Sequence, residues 1–127
     1  MDYTIQDVHD ILNKLYENIP EELLAELNGG IILLDEIRFH QEARNSDLLI
    51  LGTYSRFGVR RQINIYYQSL KRVYPRLTLE ELEHRLEDLL WHELRHHTEY
   101  RARIRDLEIE DENKIGQYHQ KYDKTEE

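Results

Sequence analysis

Trp91-His92-Glu93-Leu94-Arg95-His96-His97 stands late in a helical pattern that opens at Thr78. Its HExxH set decides how the rest of the chain is read. Residues four apart on a helix lie one above the other, so His92 and His96 can offer two imidazoles to one ion, with Glu93 one residue round the cylinder. Zn²⁺ held by two histidine nitrogens and a third ligand keeps a position for water, and a neighbouring carboxylate can take the proton of that water as it attacks a carbonyl. The stretch therefore makes the chain a candidate metal hydrolase.

A chain rich in His and Glu meets HExxH by chance often enough that context has to decide. Leu82, Leu86, Leu89, Leu90, Tyr100 and Ile104 form one apolar stripe on this helix, and Glu93 and His97 fall on it. A carboxylate aimed at a core is costly unless something charged or hydrogen-bonding meets it, so a purely solvated charged helix gives no reason to place one there. His92, His96 and Glu99 share the adjoining flank, with Asp88 one turn before His92. Asp88 could orient His92 or simply be exposed. His97 reads as a core histidine that bonds to backbone or to a group behind the site.

Composition bounds the alternatives. The 127 residues suit one domain over residues 1–127 with a single modest core, and the absence of cysteine excludes disulfides and thiolate metal sites. Neither an apolar leader nor a bilayer-length apolar run is present, so the expectation is a soluble, cytoplasmic protein with no membrane partner. The net charge of −9 argues against a nucleic-acid partner, although Arg56, Arg60 and Arg61 make a local basic patch.

Along the chain, Ile5, Val8, Ile11, Leu12, Leu15 and Tyr16 predict a first helix that Pro20 closes after Ile19, and Pro20–Leu27 predicts a second, ended by Asn28-Gly29-Gly30. Ile31–Asp35 reads as a buried strand, Phe39–Asp47 as a loop, Leu48–Tyr54 as a second strand, and the segment around Gly58 as a turn. Gln62–Tyr67 alternates as a half-buried strand does, and Ser69–Tyr74 predicts a helical turn stopped by Pro75. Thr78 with Glu81 is a capping box for the motif helix. Past Arg105, the acidic string Asp106–Glu112 leads to a last helix through Ile115 and Tyr118, with a polar tail from Lys121.

This order, with Ile19-Pro20-Glu21-Glu22-Leu23, Leu51-Gly52-Thr53-Tyr54, Gln62-Ile63-Asn64-Ile65-Tyr66 and the doubled histidine His96-His97, resembles the minimal zincin-like metallopeptidase family of small bacterial proteins. The resemblance implies an α+β fold in which a small mixed sheet packs on a long HExxH helix between N-terminal and C-terminal helices. It also implies a zinc site facing a groove. Many relatives resemble HExxHHxGxxD, but Glu99 stands here at the glycine and Ala102 at the aspartate. The third ligand expected instead is Asp111 from the acidic string, with Asp106 next and Glu99 last. The plain alternative for that string is a solvated loop carrying helix-start charges. The function expected is a zinc metallopeptidase acting on a peptide or protein: His92, His96 and Asp111 hold Zn²⁺ and Glu93 is the general base. The runner-up is a non-catalytic zinc-binding or interaction module on the same fold. A third possibility is an acidic adaptor with no metal.

Overall fold

Thr4 opens the first helix with a reciprocal cap: its hydroxyl accepts from the Asp7 amide at 3.1 Å and its own amide donates to the Asp7 carboxylate at 2.8 Å. The computed structural model describes residues 2–40 and 48–110, and side chains as far as Arg105. Within these residues the element order is α1 (Ile5–Glu17), α2 (Glu21–Leu24), β1 (Gly30–Leu34), β2 (Gly52–Phe57), β3 (Arg60–Tyr66), α3 (Tyr67–Val73) and α4 (Leu79–Glu110). The architecture is α+β, with a small mixed sheet of order β1-β3-β2. β1 runs parallel to the central β3, in register Ile31 to Ile63 and Leu33 to Ile65. β2 runs antiparallel to β3, in register Gly52 to Ile65 and Tyr54 to Ile63.

The core forms where α1 and the sheet meet α4. Val8, Leu12 and Leu15 from α1, Tyr54, Ile63 and Ile65 from the sheet and Leu82, Leu86, Leu90 and Leu94 from α4 make one buried cluster. Burying a Leu or Ile side chain contributes roughly 1.5–3 kcal/mol, so the i, i+4 spacing on α4 stabilises both its conformation and its docking. α4 begins as expected, since the Glu81 amide donates to the Thr78 hydroxyl at 3.1 Å and the Thr78 amide to the Glu81 carboxylate at 2.9 Å.

Several expected boundaries move. α1 stops at Glu17, where the Asn18 amide bonds back to Leu15 and Tyr16, two residues before Pro20 takes effect. α2 is a single turn, not Pro20–Leu27: Ala25 leaves the helix at ψ 134° and Glu26 adopts φ 65°. The Leu27 amide donates to the Leu24 carbonyl at 3.0 Å, which closes a type II turn. Glu26 stands where that turn favours glycine, at a cost of about 1–2 kcal/mol. Its carboxylate lies 3.2 Å from Arg61 and 3.9 Å from Arg101, and these charges help hold it there.

The second strand begins at Gly52 and not Leu48; Leu49 makes only an isolated bridge to Phe39. Gly58-Val59 form a two-residue hairpin loop with positive φ at Gly58 alone, the pattern of a II′ turn. β1 is half-buried along its length because it is an edge. Conversely, β3 is half-buried only in its first part: Gln62 is partly covered as expected, but from Ile63 on the polar partner Asn64 is buried too. Asn64 donates to Thr53 at 3.0 Å and to Ser55 at 2.8 Å, Thr53 meets the Tyr66 hydroxyl at 3.1 Å, and Arg38 donates to that hydroxyl at 3.1 Å. The sheet thus has an apolar face toward α4 and a hydrogen-bonded polar face on the other side. α4 runs on to Glu110, so Asp106–Glu110 are helical and the solvated-loop reading fails for them. Gln41–Asp47, Asp111, the expected helix through Ile115 and Tyr118 and the tail from Lys121 lie outside the described residues.

Candidate metal and catalytic site

Gly52 lets α4 approach β2 closely: a β-carbon there would come within 3.2 Å of the Leu89 side chain. Further along, Tyr54 meets His97 and Arg56 lies over the Tyr100 ring at 4.3 Å. β2 therefore runs in the same direction as α4, above the flank that bears Leu89 and Tyr100. His96 is about 20–40° further round than those two residues, and His92 about 40° beyond His96. On the opposite flank, Glu83 meets Lys14 of α1 and Arg101 meets the Glu22 carbonyl. The two motif imidazoles therefore emerge beside the outer edge of β2, away from α1 and α2.

The Nε2 atoms of His92 and His96 stand 3.3 Å apart, with the rings at 87° and their centroids separated by 4.8 Å. Two nitrogens each about 2.05 Å from one tetrahedral ion would be about 3.3 Å apart, so the pair has the span that Zn²⁺ needs. His92 is exposed and His96 half-buried, which leaves the pair open to an ion from solvent.

Glu93 has no exposed surface, and Leu90 and Leu94 on the same helix are buried as well. Holding a carboxylate there in its charged form is costly unless a charged or hydrogen-bonding group meets it. Among the described residues, no group of three His, Cys, Asp or Glu side chains is placed to hold an ion together. Glu99 is exposed on α4, as is Asp88. The helical backbone places Glu110 about 21 Å along the axis from His96, and Asp111 is only one peptide, about 3.8 Å, further on, so a role for Asp111 at this pair requires α4 to unwind before it. Asp111 itself is outside the described residues.

His97 is the core histidine expected from its place on the stripe, and its partners settle its tautomer. Nε2 lies 2.8 Å from the Ala25 carbonyl, which only accepts, so Nε2 carries the proton. Nδ1, 2.6 Å from the Tyr54 hydroxyl, is then the acceptor and Tyr54 donates. Burial pushes the Tyr54 hydroxyl well above the ordinary tyrosine value, against the pull of Arg61, Arg56 and Arg101. Burial also holds His97 below its ordinary value; Arg101 and Arg61 act in the same direction, against the bond to Ala25. A neutral imidazole thus ties α4 to β2 and to the turn after α2, one residue from His96 and four from Glu93. The bond from Tyr54 to His97 spans 43 residues and carries no local signal.

No family model matches the chain, and no curated protein does. Among solved structures, it is similar to a conserved hypothetical protein from Thermus thermophilus. The likeness has a TM-score of 0.69 at 25% identity and covers 78% of this chain and 97% of that one. The likeness supports the α+β arrangement. No helix among the described residues is long and apolar enough to cross a membrane.

Proposed function

We propose that this chain is a zinc-dependent hydrolase with a zincin-like fold, a metallopeptidase that cleaves peptide bonds. The observation carrying the reading is the His92–His96 nitrogen pair, 3.3 Å apart beside a Glu93 that has no exposed surface. His92 and His96 would hold the ion; Asp111 is proposed as third ligand, which requires α4 to unwind before it, and Asp106, about 15 Å along the axis from His96, requires the same, whereas Glu99, the last alternative, needs no such change. Zn²⁺ bound there would supply Lewis-acid polarisation and would lower the pKa of water toward neutrality. Glu93 takes a proton from the attacking water as its oxygen bonds to the peptide carbonyl carbon. It then passes that proton to the amine as the C–N bond breaks. The outer edge of β2 offers backbone donors and acceptors to an extended peptide, which can lie beside the histidines as an added strand.

A non-catalytic zinc module is the second reading, favoured by the lack of a three-residue ligand group among the described residues. Turnover separates the two. Glu93→Gln should keep zinc and fold while peptide cleavage falls by about 10²–10⁴-fold, the usual contribution of a general base. Equal cleavage by the two proteins would remove Glu93 as the base. Zinc bound in both with cleavage by neither would establish the module.

A further inference from the structure

β1 is the edge of the sheet farthest from the histidine pair, and the direction of its backbone groups follows from its neighbour. The Tyr66 amide donates to the Leu51 carbonyl, so Gln62, Asn64 and Tyr66 turn their backbone groups toward β2, and Ile63 and Ile65 turn theirs toward β1. In the parallel register those groups are met on either side of Ile32, which leaves the amides and carbonyls of Ile31 and Leu33 pointing outward. Among the described residues, no turn or loop bonds to them.

Exposed edges are commonly guarded by charge or proline, yet Gly30–Leu34 contains neither. The side chains of Ile31 and Leu33 pack toward the core, and alternation sends Ile32 to the other face, in register with Asn64. On the core side a cleft separates the strand from α1, where His9, Leu12, Asn13 and the exposed Tyr16 line it. Neither the strand nor the lining of this cleft includes an Asp, Glu, Lys or Arg, although these make up 34% of the chain. A charged partner finds no counter-charge there, whereas two copies of a chain with net charge −9 need a neutral strip along which to approach.

We propose that β1 pairs with β1 of a second copy of this chain, antiparallel about a two-fold axis at Ile32, so that the two sheets become one. The outward groups dictate that register. Ile31 exchanges both hydrogen bonds with the partner's Leu33, Leu33 does the same with the partner's Ile31, and the two Ile32 side chains meet across the axis with Cβ atoms about 4.5–5.5 Å apart. The axis stands normal to the sheet, so both α1 helices lie on one face and the clefts bearing Tyr16 close between them. The histidines stay open at the opposite edge, and the pairing does not depend on their chemistry.

The test is the solution mass of the full chain, by light scattering and sedimentation velocity, with and without one equivalent of zinc. One short strand and one helix face make a small interface, so the mass should fall from twice the 15.5 kDa of one chain toward that value between about 100 µM and about 1 µM. Zinc should not change it. Ile32→Lys sets two cations against each other on the axis and should raise the dissociation constant about tenfold or more, with the circular dichroism spectrum retained. The chain has no cysteine of its own, so Ile32→Cys reports the register directly: mild oxidation should give a covalent dimer, while Thr98→Cys on the exposed face of α4 stays single. If Ile32→Lys fails to fold, this cross-link decides alone. A chain that remains a monomer at the highest concentration, a dimer that forms only with zinc or survives Ile32→Lys unchanged, or equal cross-linking of Ile32→Cys and Thr98→Cys would overturn the pairing.

Discussion

Replacing Tyr54 with Phe removes one oxygen from a place where the consequences can be worked through. The ring keeps its packing against His97, with centroids at 5.2 Å, and against Tyr100 at 6.2 Å. What disappears is the donor at 2.6 Å to His97 Nδ1. Neither residue has exposed surface, so water does not readily take its place. His97 cannot turn its ring to compensate without giving up the bond from Nε2 to Ala25. A buried acceptor left without its partner costs about 1–3 kcal/mol. For a domain of this size that lowers the thermal midpoint by roughly 4–12 °C. The assay is thermal unfolding followed by circular dichroism at pH 7.5 on metal-free protein. Long-range ¹H–¹⁵N spectra of the wild type should also show His97 protonated at Nε2 alone. A midpoint shift under about 1 °C, or an Nδ1-protonated ring, would refute the reasoning, because either means that the Tyr54 hydroxyl does not bond to a buried imidazole.

Two further outcomes follow from the packing. Gly29→Ala puts a β-carbon 2.7 Å from Gln62 Cβ and 2.9 Å from the Arg61 carbonyl, so the start of β1 must shift and stability should fall by about 1–3 kcal/mol; an unchanged urea midpoint would contradict it. Alkaline stability should decline between pH 10 and pH 12. Burial first, then Tyr67 and Asp2, push the Tyr3 hydroxyl up to about 12, while burial raises Tyr54 and Tyr67 as well. Unfolded tyrosines ionise near 10, so their contribution is fully present below pH 10 and is lost as pH rises through the folded values. Ionisation of all nine tyrosines near pH 10 with the fold intact, read by absorbance at 295 nm and circular dichroism, would contradict this.

The motif helix was the most legible part of the chain because two independent signals agree there. Thr78 and Glu81 mark its start by local hydrogen bonding, and Leu82, Leu86 and Leu90 repeat at the helical period. The same period placed Glu93 and His97 in the core before any partner was known. Thr4 and Asp7 carry an equally local signal for α1 that the apolar periodicity alone does not bring out. Periodicity marks burial and does not name partners, so the Tyr54–His97 bond and the gathering of Arg56 and Arg61 on Tyr100 were not readable. Arg56, Arg60 and Arg61 read as one patch along the chain, whereas alternation sends Arg60 to the other face. The polar residues of β3 misled in the opposite direction. Gln62 and Asn64 suggest a wet face, but Arg38 and the β2 hydroxyls engage that face through contacts distant in sequence. α2 came out short because the cost of placing Glu26 in a glycine-type turn is offset by arginines from β3 and α4.

Metal analysis of the chain purified without chelator or added zinc, alongside His92→Ala, His96→Ala and Asp111→Asn, tests the central claim most directly. The 3.3 Å nitrogen pair predicts one equivalent of zinc in the wild type and none in either histidine variant, since two ligands on one helix cannot be replaced without moving the backbone. If α4 unwinds before Asp111 when the ion binds, Asp111→Asn should weaken zinc binding more than Asp106→Asn or Glu99→Gln; if α4 stays helical to Glu110, Glu99→Gln should have the largest effect of the three. A folded wild type that takes up no zinc when titrated, or a His92→Ala or His96→Ala protein that binds it at wild-type affinity, would contradict the account.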